Sequence, residues 1–216
     1  MKKLITKILI TTLTVIFNLN TTSAQDYGDL QYALSGYSYR SVGPAFMSGR
    51  IADIAIDSNN ENVWYVAVGS GGVWKTKNAG TTWMPLTDNM PFYSTGSVTI
   101  DPNDSSRIWV GTGENVAGRH VGIGHGIYLS KDSGSTWDNM GLKKSEHISK
   151  IIVHPDNSDI IWVASQGPLW NSGGDRGLFM SNDGGNTWSN KLYVNEWTAV
   201  TDIIIDPTNP DILYAA

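Results

Sequence analysis

Ser130-Lys131-Asp132-Ser133-Gly134-Ser135-Thr136-Trp137 and Ser181-Asn182-Asp183-Gly184-Gly185-Asn186-Thr187-Trp188 agree at Ser, Asp, Gly, Thr and Trp. A looser copy, Thr76-Lys77-Asn78-Ala79-Gly80-Thr81-Thr82-Trp83, keeps Gly, Thr and Trp and carries Asn for Asp. The tryptophans stand 54 and 51 residues apart, a period that announces a repeat architecture. Two further columns keep the same phase. Ile56-Asp57, Ile100-Asp101-Pro102, Val153-His154-Pro155 and Ile205-Asp206-Pro207 each close an apolar stretch with a turn signal, and an aromatic follows eight residues later at Tyr65, Trp109, Trp162 and Tyr214. Trp74, Tyr128 and Phe179 each lie two residues after a glycine and two residues before the start of the eight-residue element.

One unit therefore reads as strand A (Ile151 to Val153), a Pro/Asn/Asp turn, strand B (Ile160 to Ala164), a loop, strand C (Gly177 to Ser181), the Asp-Gly turn and a strand D starting near the Trp. Four short antiparallel strands repeated every 50-odd residues make a propeller blade, and no segment shows a helical period. The predicted fold is all-β, a β-propeller incomplete in this chain: blades at about 50-90, 91-142 and 143-194 and the start of a fourth at 195-216. Three and a half blades do not close a ring, so the remaining blades of a longer chain are an expected partner.

Composition agrees. The 216 residues include 23 Gly, 9 Trp and no Cys, which excludes a disulfide scaffold and a cysteine-ligated zinc site. A net charge of -5 offers no footprint for nucleic acid. Lys2, Lys3 and Lys7, an apolar run from Ile8 to Phe17, and Thr22-Ser23-Ala24 predict a cleaved secretory signal over residues 1-24. The protein is thus expected to be secreted (periplasmic, cell-surface or extracellular), without stable membrane insertion after cleavage.

The sequence Ser-x-Asp-x-Gly-x-Thr-Trp resembles the Asp-box, or BNR repeat, of propellers in sialidases, xyloglucanase-like glycoside hydrolases and the sortilin/VPS10 receptors. The stretch Ser41 to Ile51 is similar to the opening of large secreted bacterial proteins described as sortilin-like or glycosyl hydrolase. The resemblance implies that the box joins strands C and D at the blade's outer edge, away from ligand. Asn78, Gly80, Trp83, Asp132, Gly134, Trp137, Asp183, Gly185 and Trp188 are accordingly structural: the carboxylate accepts N–H groups of its turn, Gly takes a positive φ, and Trp is buried between sheets. Trp74, Trp109 and Trp162 join the core, leaving Trp64, Trp170 and Trp197 as rings able to stack on a ligand.

In a four-stranded meander the B-to-C and D-to-A connections share one side. The B-to-C loops vary most, and varied polar loops on one face are where function sits on such scaffolds. They hold Glu114, Arg119, His120 and His125 in the second blade and Trp170, Asp175 and Arg176 in the third. The D-to-A connections add Arg50, Phe92, Tyr93, His147 and Trp197. Arg50, Arg119, His120, His125, His147, Trp170, Arg176 and Trp197 are the candidate ligand contacts, able to hold a peptide, protein or polysaccharide by ring stacking and forked hydrogen bonds. Glu114, His120 and His125 form a weak metal pattern on a glycine-rich loop, and neither a metal nor a cofactor is expected.

Glycoside hydrolysis needs two carboxylates flanking the scissile bond, and Glu114 and Asp175 are the weak candidates. The xyloglucanase-like family places one of its aspartates where this sequence has Gly69, so that role does not carry over by resemblance. Tyr39-Arg40-Ser41-Val42 departs likewise from the sialidase Arg-Ile-Pro motif. A sortilin-like binding module is the preferred reading, and a xyloglucanase-like or sialidase-like hydrolase the alternative.

Overall fold

The computed structural model describes Tyr32, Ser35 and Gly36, then residues 50-216 apart from Ala117 and Arg119. The expected signal, most of the stretch from Ser41 to Ile51, and the candidate Arg119 lie outside the described residues. The chain divides into two units, Met1–Phe46 and Met47–Ala216, and every strand among the described residues belongs to the second.

The strands run β1 (Ile51–Ile56), β2 (Trp64–Val68), β3 (Gly72–Thr76), β4 (Met84–Pro85), β5 (Thr95–Asp101), β6 (Asp104–Thr112), β7 (Ile127–Ser130), β8 (Asp138–Asn139), β9 (Ile148–His154), β10 (Asn157–Ser165), β11 (Gly177–Ser181), β12 (Ser189–Leu192), β13 (Ile203–Ile205) and β14 (Leu213–Ala215). They form three four-stranded antiparallel meanders, β1-β2-β3-β4, β5-β6-β7-β8 and β9-β10-β11-β12, and a two-stranded sheet β13-β14. Successive sheets meet along their first strands, β1 against β5, β5 against β9 and β9 against β13. This is a partial β-propeller. β9 and β10 extend past the expected strand ends because their hairpin is tight, with His154 opposite Asn157.

The Asp/His column that closes the first strands has a single physical explanation. Asp57, Asp101 and Asp206 each accept the N–H two residues on, from Asn59, Asn103 and Thr208 at 2.9, 2.9 and 2.8 Å. At His154 the ring Nδ1 accepts the Asp156 N–H at 3.1 Å and does the carboxylate's work. Each is an Asx-type turn that stops a strand and starts the next.

Cores lie between sheets. Tyr65, Ala67 and Val73 of the first sheet pack on Val98, Ile108, Val110 and Tyr128 of the second, with Phe92 from the connection between them. Trp109, Ile127 and Leu129 of the second pack on Ile148, Ile151, Ile161 and Phe179 of the third. Ala164 and Leu178 pack on Val200 and Ile203. Full burial of such a side chain stabilises by about 1.5–3 kcal/mol, so adjacent sheets are locked by these layers.

The eight-residue turns supply the outer half of each lock. Asp132 Oδ1 accepts the Thr136 N–H at 2.8 Å and its Oδ2 accepts the Thr136 hydroxyl at 2.6 Å; Asp183 does the same with Thr187 at 2.9 and 2.6 Å. Gly134 and Gly185 sit at φ 94° and 90°, where a Cβ is disfavoured. The ring of Trp188 then meets Trp109 of the preceding sheet edge-on at 6.5 Å, and its Nε1–H donates to Met140 O at 2.7 Å. Trp137 packs on the core between the first and second sheets. Two tryptophans depart from expectation. Trp83, expected in the core, is 40% exposed, its ring edge-on to Trp64 of its own sheet at 6.4 Å. Trp64, expected to be free to stack on a ligand, begins β2 at the end opposite the long loops and donates Nε1–H to Glu61 O at 2.7 Å.

Candidate functional site

The loops after β2, β6 and β10 meet the connections after β4, β8 and β12 on one side of the sheets. Gly113 N–H donates to Ser94 O at 2.9 Å, Gly124 N–H to Glu146 O at 2.7 Å, and Gln166 N–H to His147 O at 2.9 Å. Glu114 is the centre of this face. It is 1% exposed, yet its carboxylate accepts from the Arg50 guanidinium ahead of β1 and from the Ser70 hydroxyl in the β2–β3 loop, the latter at 2.7 Å. Its own carbonyl accepts the Nδ1–H of His147 at 2.9 Å, which places that ring's proton on Nδ1. Asn115 O accepts the Gln166 side-chain N–H at 3.1 Å. Three sheets are thus tied through two consecutive residues.

The electrostatics follow from the contacts. Burial alone would raise the Glu114 pKa, but hydrogen bonds from Ser70 and Arg50, with the Arg50 charge, hold it below the ordinary carboxylate range. Burial lowers His147, against the opposing pull of the Glu114 carbonyl and the nearby Glu146 and Glu114 charges. Glu114 is therefore a fixed anion and His147 a neutral donor.

Gly69, where the resemblance puts an aspartate, lies against the same carboxylate: a Cβ there would stand 3.1 Å from Glu114 Cδ. The space a side chain at 69 would enter is taken by Glu114 from the neighbouring sheet. Residue 69 could reveal the missing aspartate in sequence, but only coordinates reveal what fills its place.

The remaining candidates divide by exposure. Trp170 and Trp197 are 70% and 63% exposed, and their loops are stitched together: Gly173 N–H donates to Glu196 O at 2.8 Å. Arg176, expected to reach a ligand, is buried instead, its guanidinium donating to Pro168 O, to Asn171 O at 3.2 Å and to Trp197 O at 3.3 Å. It positions both tryptophan loops. His147, also expected at the ligand, is 1% exposed and likewise acts within the scaffold. Asp175 accepts the Lys144 N–H at 2.9 Å, joining the β10–β11 and β8–β9 connections. His120 and His125 are exposed on the β6–β7 loop, His125 donating its N–H to Thr112 Oγ1 at 2.7 Å. Among the described residues no three His, Asp or Glu side chains gather as metal ligands, and no helix is long and apolar enough to cross a membrane.

The chain is 26% identical over 183 residues to the oligoxyloglucan-reducing end-specific xyloglucanase of Emericella nidulans, covering 77% of this chain and 21% of that protein. It is 27% identical over 191 residues to the xyloglucanase of Hypocrea jecorina, covering 82% and 21%. The fold is a β-propeller related to those of glycosyl hydrolases. Among solved structures, an ancestral GH74 enzyme superposes with a TM-score of 0.63 at 22% identity, over 78% of this chain and 22% of the other. The GH74 xyloglucanase of Xanthomonas campestris superposes with a TM-score of 0.56 at 15% identity, over 80% and 27%. No family model matches. The chain spans about a fifth of the length of the curated relatives it matches.

Proposed function

We propose that this chain forms part of a secreted, glycosyl-hydrolase-like propeller whose loop face holds a neutral polysaccharide of the xyloglucan type. The observation that carries the reading is the pair of exposed indoles, Trp170 and Trp197, on loops organised by one buried arginine. Flat rings held on rigid loops offer apolar faces to the C–H faces of sugars at little entropic cost. The likeness to xyloglucanases supports glycan over the peptide and protein ligands that such a face can also take.

Hydrolysis, where the full-length protein performs it, is that of a glycoside hydrolase, and the two acids singled out in the sequence support the face within it. Both oxygens of Glu114 are occupied by Arg50 and Ser70, so it is not poised to exchange a proton with a sugar, and Asp175 gives one oxygen to the Lys144 N–H in a bond that joins two connections. The test uses the full-length secreted protein, with affinity electrophoresis in xyloglucan and reducing-sugar release measured in parallel. Trp170→Ala and Trp197→Ala should each weaken retention about 5- to 10-fold, while Glu114→Gln and Asp175→Asn leave any sugar release within about threefold of wild type. Release that collapses in Glu114→Gln with binding intact would make that residue catalytic. A folded protein that neither binds nor cleaves xyloglucan would return the face to a peptide or protein ligand.

A further inference from the structure

A second feature of the same face lies away from the tryptophan loops. The β2–β3 loop and the β4–β5 connection border an open cavity of about 590 Å³ lined by Ser70, Thr87, Asp88, Met90, Phe92 and Tyr93, within the size range of small-ligand sites, about 300–1,000 Å³. Its walls are rigid. The Tyr93 carbonyl accepts the N–H groups of Gly71 and Gly72 at 3.0 and 2.7 Å, and Thr87 Oγ1 accepts the Val73 N–H at 2.9 Å. Phe92 is buried against Tyr128 with ring centroids 4.5 Å apart. Tyr93 is thereby fixed on both sides of its backbone, yet its side chain is 63% exposed.

Asp88 is the acid that lines the cavity. Unlike Asp57, Asp101, Asp132 and Asp183, whose carboxylates build turns, the exposed carboxylate of Asp88 accepts no hydrogen bond from the described residues, a state it shares with Asp138, Asp156, Asp159 and Asp211, and of these it is Asp88 that lines the cavity. An exposed aromatic face beside an uncommitted carboxylate, on a preorganised frame, matches a hydroxyl-rich ring with an apolar face. The ring stacks, and the carboxylate takes charge-assisted hydrogen bonds from vicinal hydroxyls.

We propose that this cavity is a sugar subsite for a neutral polysaccharide, with Tyr93 the stacking platform and Asp88 the hydroxyl acceptor that turns away uronic acids. The proposal rests on the glycan reading above and adds to it a second contact point and a preference for uncharged chains. Like-charge repulsion excludes a sugar carboxylate, and among the described residues no cation lines the cavity to offset it.

Isothermal titration of the full-length protein with xyloglucan oligosaccharides built on four glucoses, and separately with trigalacturonate, tests it. Tyr93→Ala should weaken xyloglucan oligosaccharide binding about 10-fold and Tyr93→Phe by less than about twofold. Asp88→Asn should weaken it about 5- to 20-fold and narrow the discrimination against trigalacturonate. If Tyr93→Ala and Asp88→Asn bind as wild type does while Trp197→Ala weakens binding, the subsite is overturned and the glycan reading stands. If wild type, shown folded by its melting curve, binds no xyloglucan oligosaccharide, both fall. Equal affinity of wild type for trigalacturonate would overturn the selectivity assigned to Asp88.

Discussion

Asp132 and Asp183 are surface carboxylates that nonetheless titrate at about 2. The hydroxyl and the amide of the threonine four residues on are the leading causes, with the box serine adding a further bond. Asn78 makes the corresponding neutral bonds, its Oδ1 accepting the Thr82 N–H at 2.9 Å and its Nδ2–H donating to Thr82 Oγ1 at 3.0 Å. A carboxyl whose native pKa lies below its unfolded value, about 3.9, adds stability that is fully present above that value. The contribution drains away as pH falls and is gone once pH passes below about 2. Melting temperature should therefore fall between pH 5 and pH 2 more steeply in wild type than in Asp132→Asn/Asp183→Asn. Asn78→Asp should raise it at pH 7 and lose the gain by pH 2. Superimposable pH profiles in the three proteins would show that these turns do not couple protonation to folding.

At the scale of the element, the eight-residue turn and the sheet before it form one packing unit. Gly134 and Gly185 share nearly the same backbone conformation, but a Cβ on Gly185 would stand 2.5 Å from Trp109 Cη2, whereas at Gly134 it would meet the far end of the Leu86 side chain. Leucine can rotate away and a buried indole cannot. Gly134→Ala should cost about 1 kcal/mol for the backbone alone, and Gly185→Ala about 2–3 kcal/mol, read from urea denaturation. Equal losses would mean that Trp109 yields. Such units were legible in sequence because their chemistry is local: Ser, Asp, Gly, Thr and Trp at fixed offsets encode a turn, and Asp57, Asp101 and Asp206 encode another. Even His154 kept its column, since its Nδ1 accepts the same N–H. What sequence could not rank was exposure. Arg176 and Trp197 both read as ligand contacts, but only the folded loops show the arginine turned inward onto three carbonyls and the indole left outside. Asp88 drew no notice, because nothing local distinguishes a carboxylate that folding leaves uncommitted.

For the whole unit, the loop face is held together near Glu114, where groups from three sheets converge on one buried side chain and its neighbours. Half of that support is wet: the Arg50 side chain is 58% exposed, so its ion pair is screened and contributes about 0.5–1 kcal/mol. The packing of the glutamate stem against Gly69 is shielded and carries most of the rest, with a smaller share from the part-buried Ser70 hydroxyl bond. Glu114→Gln should cost about 1 kcal/mol, since an amide keeps the Ser70 bond and loses the charge pairing. Glu114→Ala should cost about 2–3 kcal/mol, because it empties the buried space beside Gly69 and removes the carboxylate's bonds to Arg50 and Ser70. A double-mutant cycle with Arg50→Ala isolates the ion pair, and its coupling energy should stay at or below about 1 kcal/mol in roughly 0.15 M salt. The same substitution bears on recognition through rigidity alone, for Glu114 anchors the β2–β3 loop that frames the cavity and the β6–β7 loop opposite it. Glu114→Ala should accordingly weaken xyloglucan oligosaccharide binding while widening hydrogen exchange at Ser70 to Gly72 and Gly122 to Gly124. Weakened binding with exchange unchanged at those amides would instead put the carboxylate itself in contact with the sugar.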